Sequence, residues 1–276
     1  MFQSLKWQST TYQPLLSEQV LEMPIADGIS ESETPLSNIS LSEHLKKNTS
    51  RITKSSVSSS SDQQNTENNC ERECSIQVEH VEQLELPHKL VLLLHNVLLK
   101  DECQLMIELS EKMGYEDADS YCFAYNDRFN DRLMVDDQNL TDLIWNRMKD
   151  HLPQVIAGMK LKGLNSRWRL CKYKPGHYFG VHTDGSYQDR KTNSVSCLTF
   201  MIYLNSQLEG AYKGGATIFF DRKRGEKARI VQPSGTAIVF LQEDMDMLHC
   251  GQKVESGVKY ILRTDVMYSI VHSTNN

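Results

Sequence analysis

The sequence predicts a mainly β domain, a sandwich or jelly roll, with supporting helices ahead of the strands. Three observations predict it. Past Trp168 the chain breaks into short runs rich in β-branched and aromatic residues, separated by Gly- and Pro-containing turns. Before them lie two stretches whose apolar residues recur at helical spacing. Aromatic residues are also unevenly placed: after Phe2, Trp7 and Tyr12 the next is Tyr115, and every later one lies between Tyr115 and Tyr268. That gap divides the chain into a poor part and a rich part. It accounts for 276 residues being only 39% hydrophobic, against roughly 45–50% in globular chains.

Taken in order, residues 1–85 read as a largely disordered tail. Within it, Phe2, Leu5, Trp7, Tyr12, Leu15, Leu16, Val20, Leu21 and Met23 form a short apolar island over 1–23. Residues 27 to about 69 carry Ser55–Ser61 and no aromatic residue, too little apolar surface to offset chain entropy. Order is expected from about Leu86, and residues 86–276 form one domain. His88–Leu99 reads as a strand followed by a loop near Asn96. Leu105, Met106, Leu109 and Met113 then mark a helix that Gly114 stops. Leu140, Leu143, Ile144, Met148 and Leu152 mark a second, ended by Pro153. The β runs follow: 167–176 ending in Pro-Gly, Cys197–Asn205, 214–220 after a Gly-Gly turn, 235–241, and 257–268.

Composition excludes several classes. A net charge of −6 argues against a protein devoted to nucleic-acid phosphates, which needs a basic surface. No apolar run approaches the ~18–20 residues of a membrane span. The start lacks a basic region followed by a continuous apolar one, so a cleaved secretory signal is not expected. Seven cysteines without a signal suggest reduced thiols, and Cys70 and Cys74 read as two solvent-exposed thiols. The expectation is a cytoplasmic or nuclear protein with no membrane or nucleic-acid partner; oligomeric state is not legible. Gly180, Gly185, Gly214 and Gly215 fit no phosphate-loop pattern and read as turn glycines.

The chemistry concentrates in Tyr173–Gly185. His182 and Asp184 are two apart, so on an extended chain both side chains leave the same face. A third ligand must come from another strand, and His249, just after the run 235–241, is the best placed. Two histidines and one carboxylate on one face of a metal leave three positions open, the arrangement suited to non-haem Fe(II). A bidentate co-substrate and dioxygen then bind together. If the co-substrate is a keto-diacid, its far carboxylate needs a buried cation. Lys259 and Arg263 share a face of the last strand and either serves: arginine bidentately, lysine as a point charge. The plain alternatives are an edge lysine, and an arginine paired with Asp265 or another acid. His177 has the wrong parity and His272 lies in the terminal tail, so both read as bystanders.

These motifs together, over roughly residues 88–270, resemble the catalytic domain of 2-oxoglutarate/Fe(II) dioxygenases of the prolyl 4-hydroxylase type. The resemblance implies a double-stranded β-helix (jelly-roll) core and iron held by His182, Asp184 and His249. It implies 2-oxoglutarate held by the cation at the Lys259 position, with Arg263 standing where some related dioxygenases place it. Tyr173 falls on the family's co-substrate tyrosine, and Thr199, Met201 and Tyr203 share a strand face that lines the same pocket. Ascorbate is implied as reductant. The implied activity is hydroxylation of a C–H bond, foremost of a prolyl residue in a peptide or protein, with succinate and CO2 as co-products. Hydroxylation of another residue or a small molecule is the alternative within the class. A non-catalytic jelly-roll protein-binding module is the alternative outside it, and the unbroken triad weighs against that.

Around the site, Arg128, Asn130 and Arg132 are candidates for contacting a peptide substrate. The stretches 128–133 and 186–193 are candidates for a substrate lid. Arg222, Lys223, Arg224, Lys227 and Arg229 read as a solvated hairpin.

Overall fold

The computed structural model of the protein describes Leu41 and residues 75–81, 84, 90–117 and 128–269. The apolar island, the serine-rich stretch, Cys70, Cys74 and His272 lie outside them. The first strand, β1 (Gln77–His80), is antiparallel to β2 (Val91–His95). Order therefore begins ahead of position 86: β1 pairs along its full length, and Val81, Leu84 and even Leu41 are buried in apolar clusters.

Helix α1 (Lys100–Met113) opens where the Leu99 N–H donates to Glu102 Oε2 at 2.8 Å, satisfying an otherwise orphaned donor. After the short strands β3 (Arg128–Phe129) and β4 (Asp131–Asp136), α2 (Gln138–Met148) is capped by Asp137, which accepts the Leu140 N–H. The helices are tied by a bidentate pair, Arg147 to buried Glu102, at 2.7 Å for both bonds. Met106 and Leu109 of α1 and Leu140, Ile144 and Met148 of α2 are buried as the spacing predicted. Among the described residues no helix is long and apolar enough to cross a membrane.

The remaining strands are β5 (Val155–Ile156), β6 (Met159–Leu164), β7 (Arg167–Tyr173), β8 (Tyr178–His182), β9 (Gln188–Asp189), β10 (Ser194–Tyr203), β11 (Tyr212–Gly214), β12 (Thr217–Phe220), β13 (Glu226–Ile230), β14 (Ala237–Leu241), β15 (His249–Gly251), β16 (Val254–Gly257) and β17 (Lys259–Ser269). The larger sheet runs β1-β2-β14-β10-β17-β6-β5, with β7 and β4 continuing from the first half of β17. The smaller runs β13-β12-β15-β8-β3, and β11 pairs with β16. All pairings are antiparallel, giving the mainly β jelly-roll core with helices preceding it that the sequence predicted.

Alternation along the larger sheet positions everything else. Leu198, Phe200 and Ile202 of β10, with Trp168, Leu170, Val239 and Leu262, join the helices in one cluster. The intervening residues Met201, Tyr203, Cys171, Tyr173, Ile238, Phe240 and Ile261 join Phe219 of the smaller sheet in a second. A strand buried on both faces carries a nearly continuous apolar run, which is why residues 197–205 looked so strongly β. The functional side chains all lie on the second face.

Two loop expectations are corrected. The stretch 186–193 is stitched down, because Gln188 and Asp189 pair with β10 and the Asp189 carboxylate accepts from the Lys191 N–H and the Thr192 hydroxyl. The stretch 128–133 forms β3 and β4. Neither has the loose backbone of a lid. The basic hairpin is solvated as expected, with Arg222 on Asp246 and Arg229 on Glu226.

Candidate metal centre

His182 and His249 face each other across the smaller sheet. They are direct partners in the antiparallel β8–β15 register, and directly opposed residues bring their side chains close. Their ring centroids are 4.3 Å apart. Asp184 lies two residues past the end of β8, so the reach predicted from an extended strand is achieved beyond the strand itself. The ligand atoms of His182, Asp184 and His249 all lie within 4.8 Å of one another.

Hydrogen bonds orient both imidazoles. His182 Nδ1 is 2.9 Å from the Gly180 carbonyl, and His249 Nδ1 is 2.9 Å from the Met247 carbonyl. A carbonyl only accepts, which assigns the ring proton to Nδ1 and leaves the Nε2 lone pairs facing inward. His182 Nε2 is buried with no hydrogen-bond partner, although Asp184 Oδ1 lies 3.3 Å away out of alignment. Such an orphaned buried atom is the mark of a missing electrophile. Burial lowers the His249 pKa to about 4 against the pull of Asp184, so the ring is neutral at pH 7. Burial pushes the Asp184 carboxyl up, but the Arg263 guanidinium and the two imidazoles outweigh it and hold the group far below the usual carboxylate range. Two imidazoles with Nε2 turned inward and an anionic carboxylate on one side are a donor set that fits Fe(II).

Asp184 is itself held. It accepts from the Thr199 hydroxyl at 2.6 Å and forms an ion pair with Arg263 Nη2 at 3.0 Å. Gln242 donates onward to Thr199 and to Asp265, and Arg169 completes the chain on Asp265 at 3.1 Å. Gln242 had no signal in the sequence, since only the fold places it there.

The structure separates the two candidate cations. Arg263 is committed to Asp184 and lies 3.4 Å from the Thr199 hydroxyl. Lys259 is buried; its ammonium donates to the Gly215 carbonyl at 2.6 Å and lies 5.8 and 5.4 Å from the ring centres of Tyr173 and Tyr203. No acidic side chain forms an ion pair with it among the described residues. Burial lowers its pKa to about 8. Tyr173 lines the pocket with its phenol kept protonated, burial pushing it up to about 12. Thr199 and Met201 line the pocket from one strand face, as expected. The Thr199 hydroxyl steadies Asp184, and the Tyr203 hydroxyl donates to Thr217 while its ring backs Lys259.

The three substrate candidates also divide. Arg128 lines the pocket with its guanidinium 4.5 Å over the Phe179 ring, which stacks on His182 at 3.6 Å. Asn130 is buried and uses both ends of its amide internally, accepting from Arg128 Nε at 2.6 Å and donating to the Asp131 carbonyl. It therefore positions Arg128. Arg132 pairs in register with Cys171, and burial, then the guanidiniums of Arg128 and Arg169, hold it below the usual arginine range. His177 is buried with its edge against Phe129 and stands apart from the triad, as parity predicted.

A facial set of two histidines and a carboxylate inside a jelly roll defines a non-haem iron site of the oxygenase class. Residues 168–264 match the family model described as the 2OG-Fe(II) oxygenase superfamily. Fe(II) and 2-oxoglutarate are implied by that match together with the triad. No curated protein matches the chain. Similar solved structures include the viral collagen prolyl hydroxylase of Paramecium bursaria Chlorella virus-1 in its 2-oxoglutarate complex, at 23% identity over 65% of this chain and 96% of that one, TM-score 0.48. A Pseudomonas putida prolyl-4-hydroxylase matches at 14% identity over 66% and 93%, TM-score 0.45. A Trichoplax adhaerens prolyl hydroxylase in complex with a hypoxia-inducible-factor degradation-domain peptide matches at 14% over 82% and 92%, TM-score 0.49.

Proposed function

We propose that this 2-oxoglutarate- and Fe(II)-dependent oxygenase hydroxylates a prolyl residue in a peptide or protein, and that Lys259 anchors the far carboxylate of 2-oxoglutarate. The observation that carries it is the pairing of a converged His182–Asp184–His249 set with a buried ammonium that has no acid of its own. Bound Fe(II), with 2-oxoglutarate and dioxygen, supplies the oxidising power to put one oxygen atom into a C–H bond, giving succinate and CO2. The chain supplies position. The Gly180 and Met247 carbonyls hold the imidazole tautomers, Thr199 and Arg263 fix the carboxylate, and Tyr173 offers a protonated phenol to the co-substrate. Phe179, Phe219 and Phe240 pack around the ligand rings and exclude water from them. The prolyl substrate is supported by the order and spacing of the sequence motifs; ascorbate as reductant is part of the same reading.

The test is anaerobic. Fe(II) and 2-oxoglutarate added to the full chain give a weak metal-to-ligand charge-transfer band, which His182→Ala abolishes and His177→Ala keeps. No band in the unaltered protein refutes the metal site. Mass spectrometry of proline peptides, with succinate release as the coupled readout, then tests the substrate: succinate without an added oxygen atom on proline refutes it.

A further inference from the structure

The pocket holds a cation that neither the metal nor the co-substrate explains. Arg263 is matched by Asp184, Arg169 by Asp265, and Lys259 by the proposed co-substrate carboxylate. Arg128 is left over. Asn130 occupies its Nε, Nη2 lies 3.4 Å from the Cys171 sulfur, a weak acceptor, and its other attractions are to the Tyr173 phenol and, beyond ion-pair distance, to Asp184, which Arg263 already holds. Among the described residues no acid lies within ion-pair distance of it. Arg132 and Arg169 stand close enough to oppose each other's charge. This excess of positive charge sits in a chain whose net charge is −6, so it is local and deliberate in effect, focusing an anion toward the pocket. Loading does not remove it, because the charges added by Fe(II) and by the dianion of 2-oxoglutarate sum to zero over the pocket as a whole, Lys259 included.

We infer that Arg128 is a specificity residue that binds a carboxylate side chain of the substrate, so that the preferred target carries Asp or Glu beside the hydroxylated residue. This rests on the hydroxylase reading above. The reach fits. Arg128 lines the same pocket as the ligands His182, Asp184 and His249, and consecutive peptide residues are about 3.8 Å apart. A residue one position from the reacting carbon, with a short acidic side chain, therefore spans from the metal to the guanidinium. Asn130 serves as the positioning residue: by accepting from Nε it fixes the guanidinium and leaves its terminal nitrogens, the pair suited to a bidentate carboxylate.

The probes are two fluorescent proline peptides identical except for Glu or Gln on each side of the proline. They are titrated by anisotropy, without oxygen, against the full chain loaded with Fe(II) and 2-oxoglutarate. The Glu peptide is expected to bind about tenfold or more tightly. Arg128→Gln removes the preference, Arg128→Lys retains part of it, and Arg128→Glu reverses it toward a Lys-flanked peptide. Equal binding of Glu and Gln peptides, or binding of neither, overturns the inference. So does a fall in 2-oxoglutarate affinity in Arg128→Gln with an unchanged Glu-to-Gln ratio, which would assign Arg128 to the co-substrate. The charge-transfer band is read separately, so loss of the metal site is distinguishable from loss of acid recognition.

Discussion

Replacing Lys259 by Met should make the empty protein more stable while ending its response to 2-oxoglutarate. Lys259 is buried, and its pKa falls from 10.5 to about 8 because burial disfavours the charged form. A drop of that size corresponds to about 3 kcal/mol of stability forgone at pH 7. Removing the ammonium also leaves the Gly215 carbonyl without its 2.6 Å donor, a loss of about 1 kcal/mol. The net gain expected for Lys259→Met is therefore about 2 kcal/mol. Its pH dependence has a definite sign. Between about pH 8 and 10.5 the unfolded chain binds a proton that the folded chain has released, so wild-type stability rises with pH across that window, and the full penalty applies below it. The advantage of Lys259→Met should be complete at pH 7 and gone by about pH 10.5. Urea denaturation of both proteins, free of metal and co-substrate, at pH 7 and pH 10 measures it. Added 2-oxoglutarate with metal should stabilise only the wild type. A variant less stable than wild type at pH 7, or a difference that ignores pH, would refute the argument.

Three further outcomes follow from contacts already described. Thr199→Val removes the 2.6 Å donor to Asp184 and should weaken metal binding about tenfold, read by metal titration, with the circular dichroism spectrum unchanged. Glu102→Gln breaks the buried bidentate pair with Arg147 and should cost about 3 kcal/mol in urea denaturation; a loss under 1 kcal/mol would mean the helices do not depend on it. At Gly214, φ is +73° and an added Cβ would lie 2.4 Å from the Lys253 carbonyl oxygen. Gly214→Ala should therefore cost at least about 2 kcal/mol, whereas Gly163→Ala, which meets nothing within 4 Å, should be neutral or stabilising in the same assay.

What the sequence made legible was whatever depends on short spacing. His182 and Asp184 are neighbours along the chain, and the runs 197–205 and 257–268 announce their strands by composition. What stayed hidden depends on register between distant strands. Nothing local says that Arg263 will meet Asp184 rather than Asp265, or that Gln242 will join Thr199 to Asp265. These outcomes follow from β10 lying between β14 and β17. The early boundary was missed for a different reason: Gln77–His80 is exposed at all four positions, so it lacks the apolar alternation that marks a strand and is held by backbone pairing to β2. The bond from Arg128 to Asn130 was hidden because an amide in a polar loop and an amide buried against a guanidinium look alike in a sequence.

The division of labour along β10 and β17 has an evolutionary consequence. Phe200, Ile202 and Leu262 face the helices, while Thr199, Met201 and Arg263 face the chemistry. Stability and selectivity are thus written on alternate letters of the same strands. Substitutions at one set can retune what enters the pocket while the other set keeps the fold intact, so new substrates can be explored by point mutation. An insertion or deletion of a single residue within these strands would exchange the two alphabets at once, and lineages of this protein should tolerate changes of side chain there far better than changes of length.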